Sequence, residues 1–145
     1  SADVSVEPLL VGLSRLGWEV EEVTAYRTVR AAPPPPEVRD DIKTGMFDAV
    51  IFTSATAVRN MIGIAGKPHA ATVVAAIGPA TAAACEIHGL RVDVTAEHPT
   101  FEAVAEGLAR YADKRRADQL AAGLPATKPS QRKRRKRRKP VEPAE

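Results

Sequence analysis

Residues 71–95 read ATVVAAIGPATAAACEIHGLRVDVT and carry the pattern that decides the fold. The apolar run ATVVAAIG, residues 71–78, is typical of a strand buried on both faces. TAAACEIH, residues 81–88, predicts a helix that stops at Gly89, and LRVDVT, residues 90–95, predicts another strand. A strand, a helix and a strand in succession indicate a parallel pair of strands with the helix packed on the sheet.

The same alternation extends on both sides of this stretch. EVRDDIKT, residues 37–44, predicts a short helix, and FDAVIFT, residues 47–53, predicts a strand buried on both faces. ATAVRNMIGIA, residues 55–65, resumes helical spacing, and Thr100 is placed to cap a further helix after Pro99. We therefore predict an α/β fold with a mostly parallel sheet and helices on both faces.

A run of four prolines within residues 30–36 divides the chain. Before it, residues 1–29 predict a helix followed by the strand WEVEEVTAYRTV, residues 18–29. Because proline cannot donate a backbone hydrogen bond, we interpret residues 30–36 as a stiff connector. We expect residues 1–29 to form the end of one α/β lobe and a linker strand, and residues 37–112 to form the main part of another lobe.

The net charge of +3 hides a strong asymmetry along the chain. Residues 1–112 contain 9 Lys and Arg against 14 Asp and Glu, whereas residues 113–145 contain 12 against 4. Eight cations are consecutive, RKRRKRRK at residues 132–139, and such a block repels itself. We predict that residues 113–145 form a disordered basic tail. This tail also favours an alternative function, binding of nucleic acid or of another acidic surface.

Several classes of protein are excluded by what the sequence lacks. It contains no apolar stretch long enough to cross a membrane, and its single cysteine, Cys85, cannot form an intramolecular disulfide. His69, His88 and His98 do not have the spacing of metal ligands, and no dinucleotide or triphosphate glycine motif occurs. We expect a soluble cytoplasmic protein that holds no metal, has no dinucleotide or triphosphate site of the usual kind and has no membrane partner.

Two corners of similar sequence follow predicted strands and begin predicted helices. They are FTSAT, residues 52–56, and IGPAT, residues 77–81. Pro79 suits the first turn of a helix, Gly78 permits a tight turn, and two hydroxyls lie near unpaired helix amides. Those hydroxyls could simply cap their helices, but two helix N-termini at one sheet edge also predict an anion site. The candidate binding residues are Ser54, Ala55, Thr56, Gly78, Pro79, Ala80 and Thr81. An anion-binding module without catalysis would show the same pattern.

Taken in order, three segments resemble the C-terminal half of uroporphyrinogen-III synthase. They are GWEVEEVTAYRTV, residues 17–29, FDAVIFTSATAVRN, residues 47–60, and the stretch from VVAAIGPAT to EGLARY, residues 73–111. The resemblance implies a monomeric lyase of two α/β lobes with the active site between them. That family converts hydroxymethylbilane to uroporphyrinogen III, inverting the last pyrrole ring, without a cofactor. In some relatives the synthase is fused behind a uroporphyrinogen-III methyltransferase.

The resemblance also implies roles for individual residues. Tyr26 matches the best candidate for a catalytic acid, and the two corners would bind the carboxylates of the substrate. Ala55 stands where many relatives have proline, and Ala80 where threonine or lysine is frequent, so a side-chain contact would be missing although the backbone amides remain. The first half of a synthase would precede Ser1, and we expect the 145 residues alone to be an inactive fragment.

Overall fold

A computed structural model describes residues 7–21, 23, 29 and 31–132 of the chain. The chain separates into two compact units, Ser1–Arg30 and Ala31–Glu145, which are described in turn. None of the helices in this described part combines the length and apolar character that a membrane crossing requires.

The first unit contains helix α1, Glu7–Arg15. It ends where Gly17 adopts a left-handed conformation with φ 86°, and the amide of Trp18 donates to the carbonyl of Leu13 at 3.2 Å. No residue of α1 is buried, and the indole of Trp18 is 67% exposed. The predicted helix is confirmed.

The strand predicted at residues 18–29 lies mostly outside the described residues. Residues 18–21, 23 and 29 have no strand structure, and Tyr26 is one of the residues that the structure does not describe. The linker strand and the position of Tyr26 therefore stay predictions.

The second unit begins with the prolines. Helix α2, Pro36–Thr44, takes the last proline as its first residue, because proline fits a helical first turn, whose amides have no partner in the helix. The helix ends at Gly45, which has φ 75°. The connector is thus one residue shorter than the sequence predicted.

Three parallel strands form the sheet of the second unit. They are β1, Ala49–Phe52, β2, Val73–Ala76, and β3, Val94–Thr95, in the order β1-β2-β3. Ala49 lies opposite Val73, and Phe52 lies opposite Ala76, so β1 and β2 start and end together. The predicted parallel sheet is confirmed for these strands.

β3 is shorter than the predicted strand LRVDVT because a side chain replaces part of its backbone pairing. One carboxylate oxygen of Asp93 accepts the amide of Val74 at 2.9 Å, and the other accepts the guanidinium of Arg91 at 2.6 Å. The side chain of Asp93 is only 7% exposed, while that of Arg91 is 61% exposed. The Asp93 carboxylate also raises the pKa of Arg91. Regular pairing therefore begins at Val94.

Helices cover both faces of the sheet, as predicted. Helices α3, Ala55–Ala65, and α4, Pro79–Ile87, pack on one face, and helix α5, Phe101–Ala121, packs on the other. Consecutive residues of β2 point to opposite faces, so Val74 belongs to the first core and Ala75 to the second. The first core contains Phe52, Val58, Val74, Cys85 and Leu90, and the second contains Ala75, Val94, Ala96 and Val104.

Close approach of α5 to β3 depends on a glycine. A Cβ atom added at Gly107 would lie 2.9 Å from Cγ1 of Val94, closer than two carbon atoms normally approach. Gly107 is therefore required by packing, although glycine weakens a helix.

The prediction that β1 is buried on both faces is wrong for Ile51. That side chain is 46% exposed, whereas Phe52 next to it is 2% exposed. Among the described strands β1 has one neighbour, and α5 packs against β2 and β3 rather than β1. None of the described helices packs closely on this face of β1.

The predicted start of the disordered tail at residue 113 is also wrong. Helix α5 continues to Ala121, because residues 113–121 contain no glycine or proline and consist mostly of good helix formers. A single 3-10 turn, Pro129–Gln131, follows, and Pro129 is buried. Residues 133–145, which hold most of the basic run, lie outside the described residues.

Candidate functional site

The first corner joins β1 to α3 and is capped by Ser54. The Ser54 backbone is extended, with φ −159° and ψ 157°, and the Ser54 hydroxyl oxygen accepts the amide of Ala57 at 3.0 Å. The carbonyl of Ser54 accepts the amide of Val58 at 3.3 Å. Ser54 therefore does cap its own helix. The amides of Ala55 and Thr56 have no hydrogen-bond partner among the described residues.

The second corner joins β2 to α4 and is built differently. Gly78 is the N-cap, and no side chain caps the helix. Pro79 has no amide hydrogen, and the amide of Ala82 donates to the carbonyl of Gly78 at 3.0 Å. Within the described part of the chain, the amides of Ala80 and Thr81 have no acceptor. Each corner thus leaves two backbone donors unused.

The backbone conformation at position 78 does not require a glycine. The sequence suggested a tight turn, but Gly78 has φ −169° and ψ 179°, an extended conformation that any residue can adopt. An added Cβ would meet no atom within 4 Å. A side chain at this position would instead project into open space in front of the helix terminus. Glycine leaves that space free for a ligand to approach the backbone.

Thr81 is the third residue of α4 and does not cap it. The residue is 5% exposed, and its hydroxyl has no hydrogen-bond partner among the described residues. Thr81 differs in this respect from Ser54, whose hydroxyl oxygen accepts a hydrogen bond from an amide of its own helix. Thr81 can therefore donate to a ligand held at this corner.

The two corners lie side by side at one edge of the sheet. Phe52 and Ala76 pair in register at the ends of β1 and β2, and the amide of Ile77 donates to the carbonyl of Phe52 at 3.0 Å. Neighbouring strands are spaced by about 4.8 Å. We call this edge, where the strands end, the carboxyl edge, and we call the opposite edge, where they begin, the amino edge.

A third helix also begins at the carboxyl edge, which the sequence analysis recognised only as a capped helix. Thr100 caps α5 by accepting the amide of Ala103 at 3.1 Å, and the amide of Ala96 bonds to the carbonyl of Ala76 at 3.0 Å. The sequence signal was the threonine before an apolar helical run. Five residues separate β3 from this helix, so the corner did not look like the other two.

Charge in the first turn separates these three helix N-termini. α5 has Glu102 in its first turn, and this carboxylate offsets the positive end of the helix dipole. α3 and α4 have no acidic residue in their first turns. An anion is therefore better stabilised at the first two corners than at the third.

Arg59 is a second feature that the sequence analysis missed. Its guanidinium contacts the hydroxyl of Thr56 at 3.4 Å, which places a cation beside the first turn of α3. The signal available in the sequence was its spacing, three residues after Thr56, which puts both on one helix face. Arg59 adds an exposed positive charge to the unused amides of this corner.

The arrangement at the carboxyl edge suits anions and gives no sign of a metal site. Within the described residues, no group of three or more His, Cys, Asp or Glu side chains is placed to hold a metal ion. Tyr26, the candidate acid, lies outside the residues that the structure describes. The site defined here therefore consists of backbone donors, the Thr81 hydroxyl and Arg59.

Comparison with known proteins gives a consistent result. Residues 1–106 match the family described as uroporphyrinogen-III synthase HemD. A putative uroporphyrinogen-III synthase from Methanothermobacter thermautotrophicus is 36% identical over 107 residues, which are 68% of this chain and 42% of that protein. The uroporphyrinogen-III synthase of Chlorobaculum parvum is 32% identical over 106 residues, 66% of this chain and 42% of that protein. The chain thus spans about two fifths of the length of these relatives.

Proposed function

We propose that this chain, which belongs to the uroporphyrinogen-III synthase family, takes part in closing hydroxymethylbilane to uroporphyrinogen III. The observation that carries the proposal is the pair of adjacent helix N-termini at the carboxyl edge. Their four unused amides and uncompensated dipoles match a substrate that bears many carboxylates. The activity is that of a lyase, because water leaves the substrate as the ring closes.

Binding at these corners would fold a flexible polyanion. Hydrogen bonds to a charged partner contribute about 1.5 to 3 kcal/mol each, so several amides can hold one substrate conformation. The substrate-binding residues we propose are Ser54, Ala55, Thr56, Gly78, Pro79, Ala80 and Thr81. Pro79 contributes by shaping the first turn of α4 rather than by donating.

Chemistry then requires loss of the terminal hydroxyl group as water. The departing oxygen takes up a proton, an azafulvenium cation forms, and the substituted carbon of the far ring attacks it to give a spiro intermediate. Tyr26 is the proposed proton donor. An ordinary tyrosine pKa of about 10 makes it a weak acid near neutral pH, so we expect positioning to contribute more than proton transfer.

The overall reaction is a dehydration with rearrangement and involves no net oxidation or reduction, so it needs no redox cofactor. We further propose that the enzyme works as a cytoplasmic monomer in tetrapyrrole biosynthesis, supplying haem, sirohaem or cobalamin. A synthase cleft lies between two lobes, and we therefore expect the 145 residues alone to be inactive. Fusion of the parent protein to a methyltransferase stays a prediction.

Isomer analysis of the product tests this proposal. The full-length protein is incubated with hydroxymethylbilane, and the uroporphyrins formed after oxidation are separated. We expect the isomer with the inverted ring. Formation of only the isomer produced by unassisted closure would contradict the synthase assignment.

Nucleic-acid binding through the basic run is a second candidate, favoured by eight consecutive cations at residues 132–139. It would be a function of the tail and not of the carboxyl edge. Binding of a short duplex that weakens steeply with salt would support it, and binding that survives removal of residues 133–145 would contradict it.

A further inference from the structure

The described residues after α5 turn back along the molecule. We call residues 124–132 the strap. It starts after Gly123, which has φ 72°, and runs beside α5. The amide of Thr127 donates to Oε1 of Gln119 at 3.3 Å, and the carbonyl of Thr127 accepts the guanidinium of Arg115. These contacts connect the strap to the helix from which it emerges.

A hydrogen bond, which we call the first fastening, joins the strap to the amino edge of the sheet. The amide of Ser130 donates to Oδ1 of Asp48 at 2.9 Å, across 82 residues of sequence. Asp48 directly precedes β1, and its backbone carbonyl accepts the amide of Val73 at 3.0 Å. Hydrogen bonding to Ser130, with smaller contributions from Lys128 and Arg115, lowers the pKa of Asp48. The carboxylate is therefore suited to hold the strap at neutral pH.

A second fastening joins the strap to the end of α2. The guanidinium of Arg132 donates to the carbonyl of Gly45 at 2.9 Å and also to the carbonyl of Thr44. Carbonyls at a helix C-terminus carry partial negative charge, so a cation is favoured there. An added Cβ at Gly45 would lie 2.5 Å from Nη1 of Arg132, which shows how closely the side chain fits.

The strap forms one wall of an open cavity of about 540 Å³ at the amino edge. Its lining includes Ala49 and Val73 from the sheet, Leu108 and Tyr111 from α5, and Pro129 from the strap. This volume lies within the range of small-molecule sites, about 300 to 1,000 Å³. The cavity is on the opposite edge from the proposed substrate site.

We propose that the strap is a lid over this cavity, which opens and closes as one unit and is held shut by Asp48 and by the carbonyls of Thr44 and Gly45. Pro129 is the only buried residue of the strap, so polar contacts rather than core packing keep it closed. Segments with little buried apolar surface open at low free-energy cost. Both contacts are made by the nine residues of the strap. Breaking either contact therefore releases the whole strap.

Amide hydrogen exchange measured by NMR on the 145-residue chain tests the lid. The reporting amides are those of Ser130 and Thr127, and the sheet is monitored through the amides of Ile77 and Ala96, which bond to strand carbonyls. For Arg132→Ala we expect exchange at Ser130 and Thr127 to accelerate about ten-fold or more, although Arg132 bonds to neither. The sheet amides should not change.

Further variants separate a lid from independent contacts. Asp48→Ala should accelerate exchange at Thr127 to a similar degree, and the double variant with Arg132→Ala should add little, because the lid is already open. Arg116→Ala is the matched control, since this α5 arginine makes no hydrogen bond among the described residues. Should Asp48→Ala also loosen the sheet amides, Asp48→Leu, which keeps more of the side-chain volume and has no acceptor, replaces it. Unchanged exchange at both reporters in Arg132→Ala, or additive effects in the double variant, would overturn the proposal.

Discussion

The two edges of the sheet differ in whether their hydrogen-bonding groups have partners. At the amino edge, the acceptors Asp48, Thr44 and Gly45 are matched by donors from the strap. At the carboxyl edge, the amides of residues 55, 56, 80 and 81 find no acceptor in the described part of the chain. Unused donors on an otherwise well-paired fold indicate where a ligand supplies the missing acceptors.

Truncation at two points should give the largest contrast between the edges. Removal of residues 113–145 deletes nine residues of α5 and the strap with both fastenings, so we expect a loss of about 2 to 5 kcal/mol in the free energy of unfolding. Removal of residues 133–145 leaves every contact between described residues in place, and we expect it to leave stability unchanged. Urea denaturation of both truncated forms measures this. Equal stabilities would mean that the amino edge is not closed by the strap.

Charge placed at position 78 should test the carboxyl edge. Position 78 suits this test better than Thr81, because Thr81 is buried and is not the cap. Gly78→Asp supplies a good N-cap and should keep or raise the melting temperature, while its charge repels the substrate. We expect substrate affinity of the full-length enzyme to fall roughly a hundred-fold, the equivalent of about 3 kcal/mol.

Gly78→Asn is the matched control for this variant. Asparagine has nearly the same size and capping ability as aspartate but carries no charge. Its effect on affinity should be several-fold smaller. If both variants kept normal affinity in a binding titration, the second corner would not contact the substrate.

A matched pair of glycines tests the helix that spans from one edge to the other. Gly107→Ala places a methyl group 2.9 Å from Val94 and should destabilise the fold by about 1 to 3 kcal/mol. Gly12→Ala in α1 meets no atom within 4 Å and should stabilise its helix by up to about 1 kcal/mol. Thermal melting followed by circular dichroism compares the two. A stabilising Gly107→Ala would show that α5 can move away from β3 without cost.

The smallest effect should be the pH dependence of the strap. The pKa of Asp48 is lowered in the folded state, so the unfolded chain binds more protons around that pKa. The free energy of unfolding therefore decreases as the pH is lowered. The contribution should be complete above the ordinary carboxyl pKa of about 3.9 and lost progressively as the pH falls through the lowered pKa of the folded state. The charged groups facing this carboxylate are Lys128 and Arg115. The protection factor of the Ser130 amide, which corrects for the slower intrinsic exchange at low pH, should fall below pH 4 in the parent chain but change less in Asp48→Asn.

The sequence predicted those features that depend on local pattern. The strand at residues 73–76 and the helices after Ser54, Gly78 and Thr100 follow from apolar runs and from capping or first-turn residues. The same reasoning placed two corners at one sheet edge, because ends of parallel strands meet there. It failed where contacts join residues far apart. Nothing near residue 130 indicates that Asp48 will bind it.

Other misses have equally specific causes. Ile51 belongs to an apolar run typical of a central strand, but exposure depends on which helix covers which strand, and periodicity does not contain that information. Gly78 looked like a turn residue, because sequence alone cannot separate a glycine required by φ from one that leaves room for a ligand. Residues 113–121 were assigned to the tail on charge, although their helix propensity was high.

The one cysteine of the chain allows the opening of the main core to be measured as a rate of thiol modification. Cys85 lies in α4 with 0% exposure, and burial raises the pKa of its thiol, so in the native fold it is both out of reach and protonated. A thiol reagent can modify it only in molecules whose core between α3, α4 and the sheet has come apart. The rate of modification therefore counts those openings directly, without any engineered label, and a ligand at the carboxyl edge that stabilises α4 would slow it.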